Sequence, residues 1–438
     1  MDKMSILMVC LMAALSEAVL HEFSLQNVLD DDELVDHASR VARAADAAGY
    51  EIATLYGESL ESGEHRRLTK RDVEDHVASP SSKSRNFELR LTSGERLHMS
   101  LQKRQVLCSD LKVVERLENE TIISRPLIKD CFFSGLLRDK SGFASLSLCD
   151  GNVVGAIQSK DRNFQLLPLP EDVTRKFPFL HVLITWSNTT DDQHSSQADN
   201  FVDVPIDEVN KVEDEDTNNE KVKRSVRDRK MTIEVGVYLD RLFLNKVWEK
   251  HRISSNQQLT DFIAQKWSGI AGVLHNPSLV GWDITIKVVN VEIWRSNPWW
   301  YQDSTKDLGK RLRMASTNTM NQPFDYISFE TADAEPPGKM GLAHVGGMCN
   351  PRTRVGITKG ANYNFAPEIH EMGHAMGLKH DNQIWQCSGR EKGFMTTSQS
   401  VFRPCYAKVL DSSFRDKSKS CLFEDNVNTR NYSPVKLG

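Results

Sequence analysis

Alternating apolar and polar residues characterise the first half of the chain. Residues 86–101, NFELRLTSGERLHMSL, alternate on both sides of Ser93-Gly94, which predicts a half-buried β-hairpin. Another pair of short apolar runs lies between Cys131 and Cys149, so a disulfide across neighbouring strands is expected there. These patterns predict a strand-rich first domain.

The second half alternates strands and helices. Residues 231–240, 282–294 and 326–329 are predicted strands, residues 259–274 an amphipathic helix, and residues 306–320 a further helical segment. This order predicts a mixed sheet with packed helices. We therefore expect an α+β protein with two domains and separate cores.

Composition narrows the class of protein. The 438 residues are 39% hydrophobic and 26% charged, with a formal net charge of -5. Nucleic-acid binding and attachment to anionic membranes both need a basic surface that this charge balance does not provide. We expect a monomer with neither partner.

The N-terminus resembles an export signal. Residues 1–18, MDKMSILMVCLMAALSEA, place a short apolar run between a lysine and small residues, and the run is too short to span a bilayer. Export predicts a secreted, extracellular protein with paired cysteines. Three acceptors for N-glycans agree with secretion, namely Asn119, Asn188 and Asn431.

A polar, acidic segment at residues 187–220 has the composition of a linker. It leads into the basic sequence KVKRSVRDRK at residues 221–230. An exposed basic cluster between domains is typical of a processing site. Cleavage after Arg224 or after Arg227, by a proprotein convertase, would separate the two halves.

The sequence HEMGHAMGLKHD at residues 370–381 carries the candidate chemistry. His370 and His374 are four residues apart, which places both imidazoles on one face of a helix, where they bind a single zinc ion. Gly377 is predicted to end the helix in the left-handed conformation and to turn His380 back towards the metal. Three histidines leave a fourth coordination position open, as in catalytic zinc sites.

Glu371 follows the first histidine and is the predicted general base. Its carboxylate is placed to accept a proton from water activated by Zn²⁺ and to pass it to a leaving amine. The sequence therefore predicts a zinc-dependent metalloendopeptidase that cleaves protein or peptide substrates.

The motif His370-Glu371-x-x-His374-x-x-Gly377-x-x-His380 resembles that of the metzincin zinc proteases, and Asp381 makes it similar to their adamalysin (reprolysin) branch. This branch includes ADAM proteins and venom metalloproteases. The resemblance implies that Met395 packs beneath the metal. It also implies that the strand containing Gly341, Leu342 and Ala343 lines the cleft, where a substrate pairs as an added strand.

The resemblance further implies two disulfides and a second metal site. The pairs are Cys349–Cys421 and Cys387–Cys405, whereas cysteine counting alone allows three pairings. The implied Ca²⁺ ligands, which suit a hard cation, are Glu234, Asp325, the carbonyl of Cys421 and Glu424. A calcium ion there would stabilise the fold and take no part in catalysis.

FELRL, CFFSG and LSLCDG resemble the propeptide of the same family. The expected organisation is a signal peptide at 1–18, a propeptide at 19–224 and a reprolysin-type metalloprotease domain at 225–438. The sequence has no cysteine between Cys149 and Cys349, so a cysteine switch late in the propeptide is not expected. Cys108 is either a zinc-blocking thiolate or a buried inert thiol, and steric blockage of the cleft is the other route to latency.

Disintegrin, cysteine-rich, thrombospondin-like and membrane segments do not follow Cys421 in this sequence. We expect a compact secreted zymogen similar to simple venom or salivary proteases, which hydrolyses extracellular or host proteins. The alternative is a zinc-containing toxin or effector that acts by docking to a receptor. Specificity is expected to depend on the loop at residues 396–404.

Overall fold

The computed structural model describes most of both halves of the chain. The described residues are 32–44, 49–58, 63, 65–79, 84–139, 142–159, 162–169, 180–186, 229–275, 281–332, 339–384, 394–395 and 405–423. The predicted signal peptide, the linker and the 396–404 loop lie outside them. So do Asn188, Arg224, Arg227, Cys387, Glu424 and Asn431. We call residues 32–186 the N-terminal half and residues 229–423 the C-terminal half.

The N-terminal half is built mainly of strands. Its helices are α1 (Asp32–Ala44) and α2 (Lys70–Ala78). Its strands are β1 (Gly49–Glu58), β2 (His65–Arg67), β3 (Arg85–Leu91), β4 (Arg96–Lys103), β5 (Leu107–Arg116), β6 (Thr121–Ser124), β7 (Phe132–Leu137), β8 (Gly142–Ser147), β9 (Val154–Ser159), β10 (Asn163–Pro168) and β11 (Leu180–Trp186).

Nine of these strands form one antiparallel sheet in the order β11-β10-β9-β8-β7-β4-β3-β1-β2. Strand β1 also pairs with β11, which closes the sheet on itself. The predicted hairpin is β3–β4, and Gly94 turns it with φ 87°. Cys131 and Cys149 form a disulfide that flanks the antiparallel pair β7–β8.

The C-terminal half combines helices with a mixed sheet. Its strands are β12 (Lys230–Leu239), β13 (Asp283–Trp294), β14 (Tyr326–Thr331), β15 (Gly341–Ala343) and β16 (Val355–Lys359). Its helices are α3 (Arg241–His251), α4 (Asn256–Leu274), α5 (Leu308–Asn318), α6 (Ala366–Met376) and α7 (Tyr406–Phe414). The helix and strand content is that of an α+β protein.

The second sheet draws strands from both halves. Its order is β15-β16-β14-β12-β13-β5-β6, with β15 antiparallel to β16 and β13 parallel to β5. The hairpin β5–β6 leaves the first sheet between β4 and β7, which pair with each other, and joins β13. One apolar cluster consequently joins Val106 and Phe143 to Trp267 and Ile270. The halves share this cluster because these strands cross from one half to the other, while a second cluster lies within the N-terminal half alone.

Helix α4 begins with a capping box in which the Ser255 and Gln258 side chains each bond the other residue's backbone N–H. Its predicted amphipathic character is wrong. Gln265, Lys266 and Ser268 are as buried as its apolar residues. The reason is that the N-terminal half covers the face expected to meet solvent, where Ser145 Oγ donates to the Gln265 carbonyl at 3.1 Å.

Among the described residues, no helix combines the length and apolar character needed to cross a membrane.

Candidate active site

Helix α6 carries most of the predicted site. At its start, the backbone N–H of Ala366 donates to the Asn364 side-chain oxygen at 3.0 Å. Pro367 lies in the first turn. It ends at Gly377, which adopts φ 109° and donates its N–H to the His374 carbonyl at 2.8 Å. This backbone conformation is strained for residues with a β-carbon, so glycine allows the chain to reverse here.

The reversal brings the three histidines together. His380 Nε2 lies 3.3 Å from His370 Nε2 and 3.2 Å from His374 Nε2. On the other side of the rings, His370 Nδ1 contacts the Phe394 carbonyl at 3.0 Å and His374 Nδ1 contacts the Leu378 carbonyl at 2.8 Å. A carbonyl only accepts, so Nδ1 carries the hydrogen and Nε2 presents a lone pair on both rings.

This donor set fits zinc. Bonds of 2.0 to 2.1 Å at tetrahedral angles separate two ligand nitrogens by about 3.3 Å, in agreement with the distances between the Nε2 atoms. Burial, together with the neighbouring His370 and His380, lowers the pKa of His374 to about 2. The ring is therefore neutral, which is the form that binds a metal.

The Glu371 side chain is buried against strand β15. A β-carbon added to Gly341 would lie 2.5 Å from both Cγ and Oε1 of Glu371, so only glycine permits this contact. Leu342 and Ala343 complete the strand, which forms one edge of the sheet. The predicted base and the predicted substrate-binding strand are thus in direct contact.

Met395 is fully buried beneath α6. Its Sδ lies 2.5 Å from the position that a β-carbon on Gly373 would occupy. The Met395 N–H donates to Tyr406 Oη at 3.1 Å, and the Tyr406 hydroxyl donates in turn to Asp381 Oδ1. Tyr406, which the sequence analysis did not identify, therefore joins Met395 to Asp381 below the histidines.

Glu368 is a second residue that the sequence analysis missed, since an acid there was assigned only to the first turn of the helix. Its buried carboxylate accepts from the Tyr326 hydroxyl at 3.1 Å and from the Thr358 hydroxyl at 2.8 Å. Beside it, Lys266 Nζ lies 2.5 Å from Glu330 Oε1. Burial and the Glu330 carboxylate raise the pKa of Glu368 to about 7. These bonds fasten the start of α6 to the sheet.

Three of the four residues implied for calcium lie close together. The Glu234 N–H donates to Asp325 Oδ2 at 2.9 Å, and the Cys349 N–H donates to the Asp325 carbonyl at 3.0 Å. Cys349 and Cys421 form a disulfide. The structure thus brings Glu234, Asp325 and Cys421 into one region.

Cys108, Cys405 and Asn119 lie outside the histidine group. Cys108 lies on β5, where its thiol donates to Asp110 Oδ1 at 2.8 Å, and burial and this bond raise its pKa. It does not belong to the histidine group, so the structure gives no support to a thiolate on the zinc. Cys405 is disulfide-bonded. Asn119 is exposed in the turn between β5 and β6.

Comparison with known proteins agrees with this site. The family model described as "Reprolysin (M12B) family zinc metalloprotease" matches residues 242–426. The human "A disintegrin and metalloproteinase with thrombospondin motifs 14" is 24% identical over 322 residues, which are 67% of this chain and 25% of that protein. The "Zinc metalloproteinase/disintegrin" of Bitis gabonica is 36% identical over 95 residues, covering 20% of this chain and 27% of the relative.

Human "A disintegrin and metalloproteinase with thrombospondin motifs 18" is 22% identical, with 78% of this chain and 33% of that protein covered. The chain therefore spans a third or less of the length of these relatives. Among solved structures, one titled "Structure of a chaperone-substrate complex" matches with a TM-score of 0.32 and 12% identity, over 44% of this chain and 36% of that one. A score that low does not establish a common fold.

The histidine group lies within the residues that match the family model of reprolysin zinc metalloproteases. Residues 242–426 are similar to the adamalysin/reprolysin (M12B) family of zinc metalloproteases.

Proposed function

We propose that this protein is a secreted zinc endopeptidase, made as a zymogen, that cleaves peptide bonds in extracellular or host proteins. The observation that carries the proposal is the convergence of three histidine Nε2 atoms beside Glu371, which lies against an edge strand of the sheet. A structural zinc site would need a fourth protein ligand, and the described metal-ligating group consists of His370, His374 and His380.

Each part of the site has a role in peptide hydrolysis. His370, His374 and His380 would hold a zinc ion, which would polarise the scissile carbonyl and lower the pKa of a water molecule. Glu371 accepts the proton from that water and returns it to the departing amine. Strand β15 holds the substrate in an extended form by backbone pairing at its open edge.

The direct test is Glu371→Ala in the processed protein. We expect zinc content to stay at one ion per chain while peptide cleavage falls by about 10³-fold, because the proton carrier is removed and the three ligands are kept. Glu249→Ala, on an exposed position of helix α3 in the same half of the chain, serves as the control and retains full activity. Undiminished biological action of Glu371→Ala would instead support a zinc-containing toxin that acts by docking.

Secretion and activation form the second part of the proposal. Signal removal after residue 18 and cleavage after Arg224 or Arg227 by a proprotein convertase would leave a protease domain at 225–438. The support is the basic cluster that follows an acidic linker. N-terminal sequencing of secreted material identifies the cleavage point, and a mature form that begins elsewhere would contradict it.

Calcium binding by Glu234, Asp325, the Cys421 carbonyl and Glu424 is supported by the proximity of the first three residues. Calcium should raise the melting temperature of the wild-type protein and leave that of Asp325→Asn unchanged. An equal shift in both proteins would exclude this site.

The proposed biological setting is a venom or a salivary secretion, and it is supported by 36% identity over 95 residues with the "Zinc metalloproteinase/disintegrin" of Bitis gabonica. Cleavage of a mixed peptide library, with and without a zinc chelator, would define the specificity and the preferred residues.

A further inference from the structure

The hairpin β5–β6 belongs to the N-terminal half by sequence and to the second sheet by pairing. Val113, Val114 and Glu115 pair with Val291, Glu292 and Ile293 of β13 in parallel register. The backbone bonds extend beyond the strands, because Val288 N–H donates to the Val106 carbonyl at 2.8 Å and Arg295 N–H donates to the Arg116 carbonyl at 2.9 Å. Two strands of one half thus complete the sheet of the other.

A buried ion pair lies at the end of this pairing. Arg116 Nε donates to Glu292 Oε1, and both side chains are almost fully buried. The indole N–H of Trp294 donates to the same oxygen at 2.9 Å. Each charge depends on the other half for its partner, so separation would leave Glu292 without its cation.

A second row of contacts joins the hairpin region to the start of α4. Glu115 accepts from Arg295 Nε at 2.8 Å and from Asn256 Nδ2 at 2.8 Å. The Leu127 backbone and the Gln257 side chain exchange two hydrogen bonds, of 2.9 and 3.0 Å. These hydrogen bonds fix the position of residues 115–127 relative to the start of α4.

The closed sheet of the N-terminal half adds a third contact area. Gln265 Nε2 donates to the Ser145 carbonyl at 2.8 Å, inside a region closed to solvent. Gln158 Nε2 donates at 2.8 Å to Asn364 Oδ1, the atom that also caps α6. Phe143 packs edge-on against Phe365 at 6.1 Å. The N-terminal half therefore contacts the entry to the active-site helix from the side of α4.

We propose that the N-terminal half stays bound after cleavage of the connecting segment and acts as a noncovalent subunit that donates β5 and β6 to the protease sheet. The proposal rests on the zymogen processing proposed above. The apolar cluster shared by the halves, the paired edge of β13 and the Arg116–Glu292 pair all hold the fragments together without a covalent link. The mature enzyme is then a complex of two chains from one gene product.

The test uses the full chain with a tobacco etch virus protease site inserted within residues 212–220, in a Glu371→Ala background that prevents self-digestion. After complete cutting, we expect both fragments to elute together in size-exclusion chromatography under native conditions and to separate only in denaturant. Elution of two separate, folded fragments at micromolar concentration would overturn the proposal.

Arg116→Met sharpens the result. Removal of one partner of a buried ion pair should speed dissociation of the cut complex by about 100-fold, measured by exchange with labelled N-terminal fragment. The matched control is Ile122→Thr on the exposed edge of β6, which should exchange within twofold of the wild-type rate. Equal rates for wild type and Arg116→Met would contradict a role for the donated strands.

A second variant covers the case in which Arg116→Met does not fold. Lys129→Gln removes a partly exposed amine that contacts Asp261 of α4 at 2.9 Å. It should raise the exchange rate several-fold and remove part of its dependence on salt. An unchanged rate and salt dependence would count against the interface.

Failure of this inference is distinguishable from failure of the proposed function. Co-elution is measured after an engineered cut and needs no peptidase activity. Peptide cleavage is measured separately with Glu371 restored. A complex that holds together, with no hydrolysis by either the complex or the C-terminal half after dissociation, would refute the function and keep the inference.

Discussion

Helix α4 contacts the start of α6 where Gly269 meets Phe365, and both helices carry polar residues within apolar sequences. In α6 the histidines converge on one point, with Nδ1 of His370 and of His374 held by backbone carbonyls. In α4 the polar residues Gln265 and Lys266 are buried against Ser145 and Glu330 from distant strands. The same kind of sequence thus produces a candidate metal-binding face in one helix, and in the other a buried face with partners on distant strands.

The difference lies in where the partners come from. The three histidines of the α6 motif lie within eleven residues and the carbonyls that hold them within 24, whereas α4 depends on residues more than sixty positions away in sequence. A local sequence pattern therefore predicts the role of the polar residues in α6, whereas it does not predict that those of α4 are buried. The following predictions test this contrast.

The largest effect is expected from His374→Ala. Loss of one of the three ligands should abolish stoichiometric zinc binding and reduce peptide cleavage by at least about 10⁴-fold, while the fold is kept. Metal analysis and peptide kinetics on the same preparation measure this. His344→Ala is the control, because that histidine does not belong to the zinc group and should retain both zinc and activity.

Lys266→Met should destabilise the protein by about 3 to 5 kcal/mol, since it leaves the buried Glu330 carboxylate without its cation. Urea unfolding of the wild type and the variant measures the difference. The double variant Lys266→Met/Glu330→Met should recover most of that loss. A single variant as stable as the wild type would show that α4 does not need its distant partner.

Gly341→Ala should reduce kcat about 10- to 100-fold with zinc retained. The added methyl would lie 2.5 Å from the Glu371 carboxylate, so the base must shift. Gly346→Ala, where a β-carbon meets no atom, isolates the steric effect, although its positive φ of 70° carries a modest cost in stability. Unchanged kcat in Gly341→Ala would show that the contact with β15 does not position Glu371.

The smallest effect concerns pH. His251 packs between Phe262 of α4 and Tyr363 near the start of α6, and burial lowers its pKa to about 4. The folded state therefore binds this proton less readily than the unfolded state, whose pKa is near 6.5, and stability is lost as pH falls through that window. Relative to His251→Gln, the wild type should lose about 2 kcal/mol more between pH 7 and pH 5. Parallel curves in urea unfolding would exclude this histidine as the cause.

Prediction from sequence succeeded where residues near in sequence determine the structure. The hairpin around Gly94, strand β12, strand β13 and the end of α6 at Gly377 all follow local patterns. Each depends on side-chain periodicity or on a glycine in a left-handed conformation.

What the sequence analysis missed depends on distant contacts. Nothing in the run 107–124 indicates that β5 and β6 leave their own sheet, because apolar alternation specifies a strand and not its neighbour. Tyr406 and Glu368 act through bonds to Asp381 and Tyr326 that no local spacing reveals. The only feature of the sequence that could have indicated a buried role for Glu368 was its position as an acidic residue within an apolar helix.

The seven-stranded sheet has two borders within the described part of the chain, β15 and β6. A sheet that binds extended peptides at one edge strand can also pair with other polypeptide chains at its opposite edge. Here the ten-residue strand β5 is bordered by the four-residue strand β6, and the predicted glycan acceptor Asn119 lies in the turn between them. The sheet would then recruit polypeptide chains only on the side where the histidines stand.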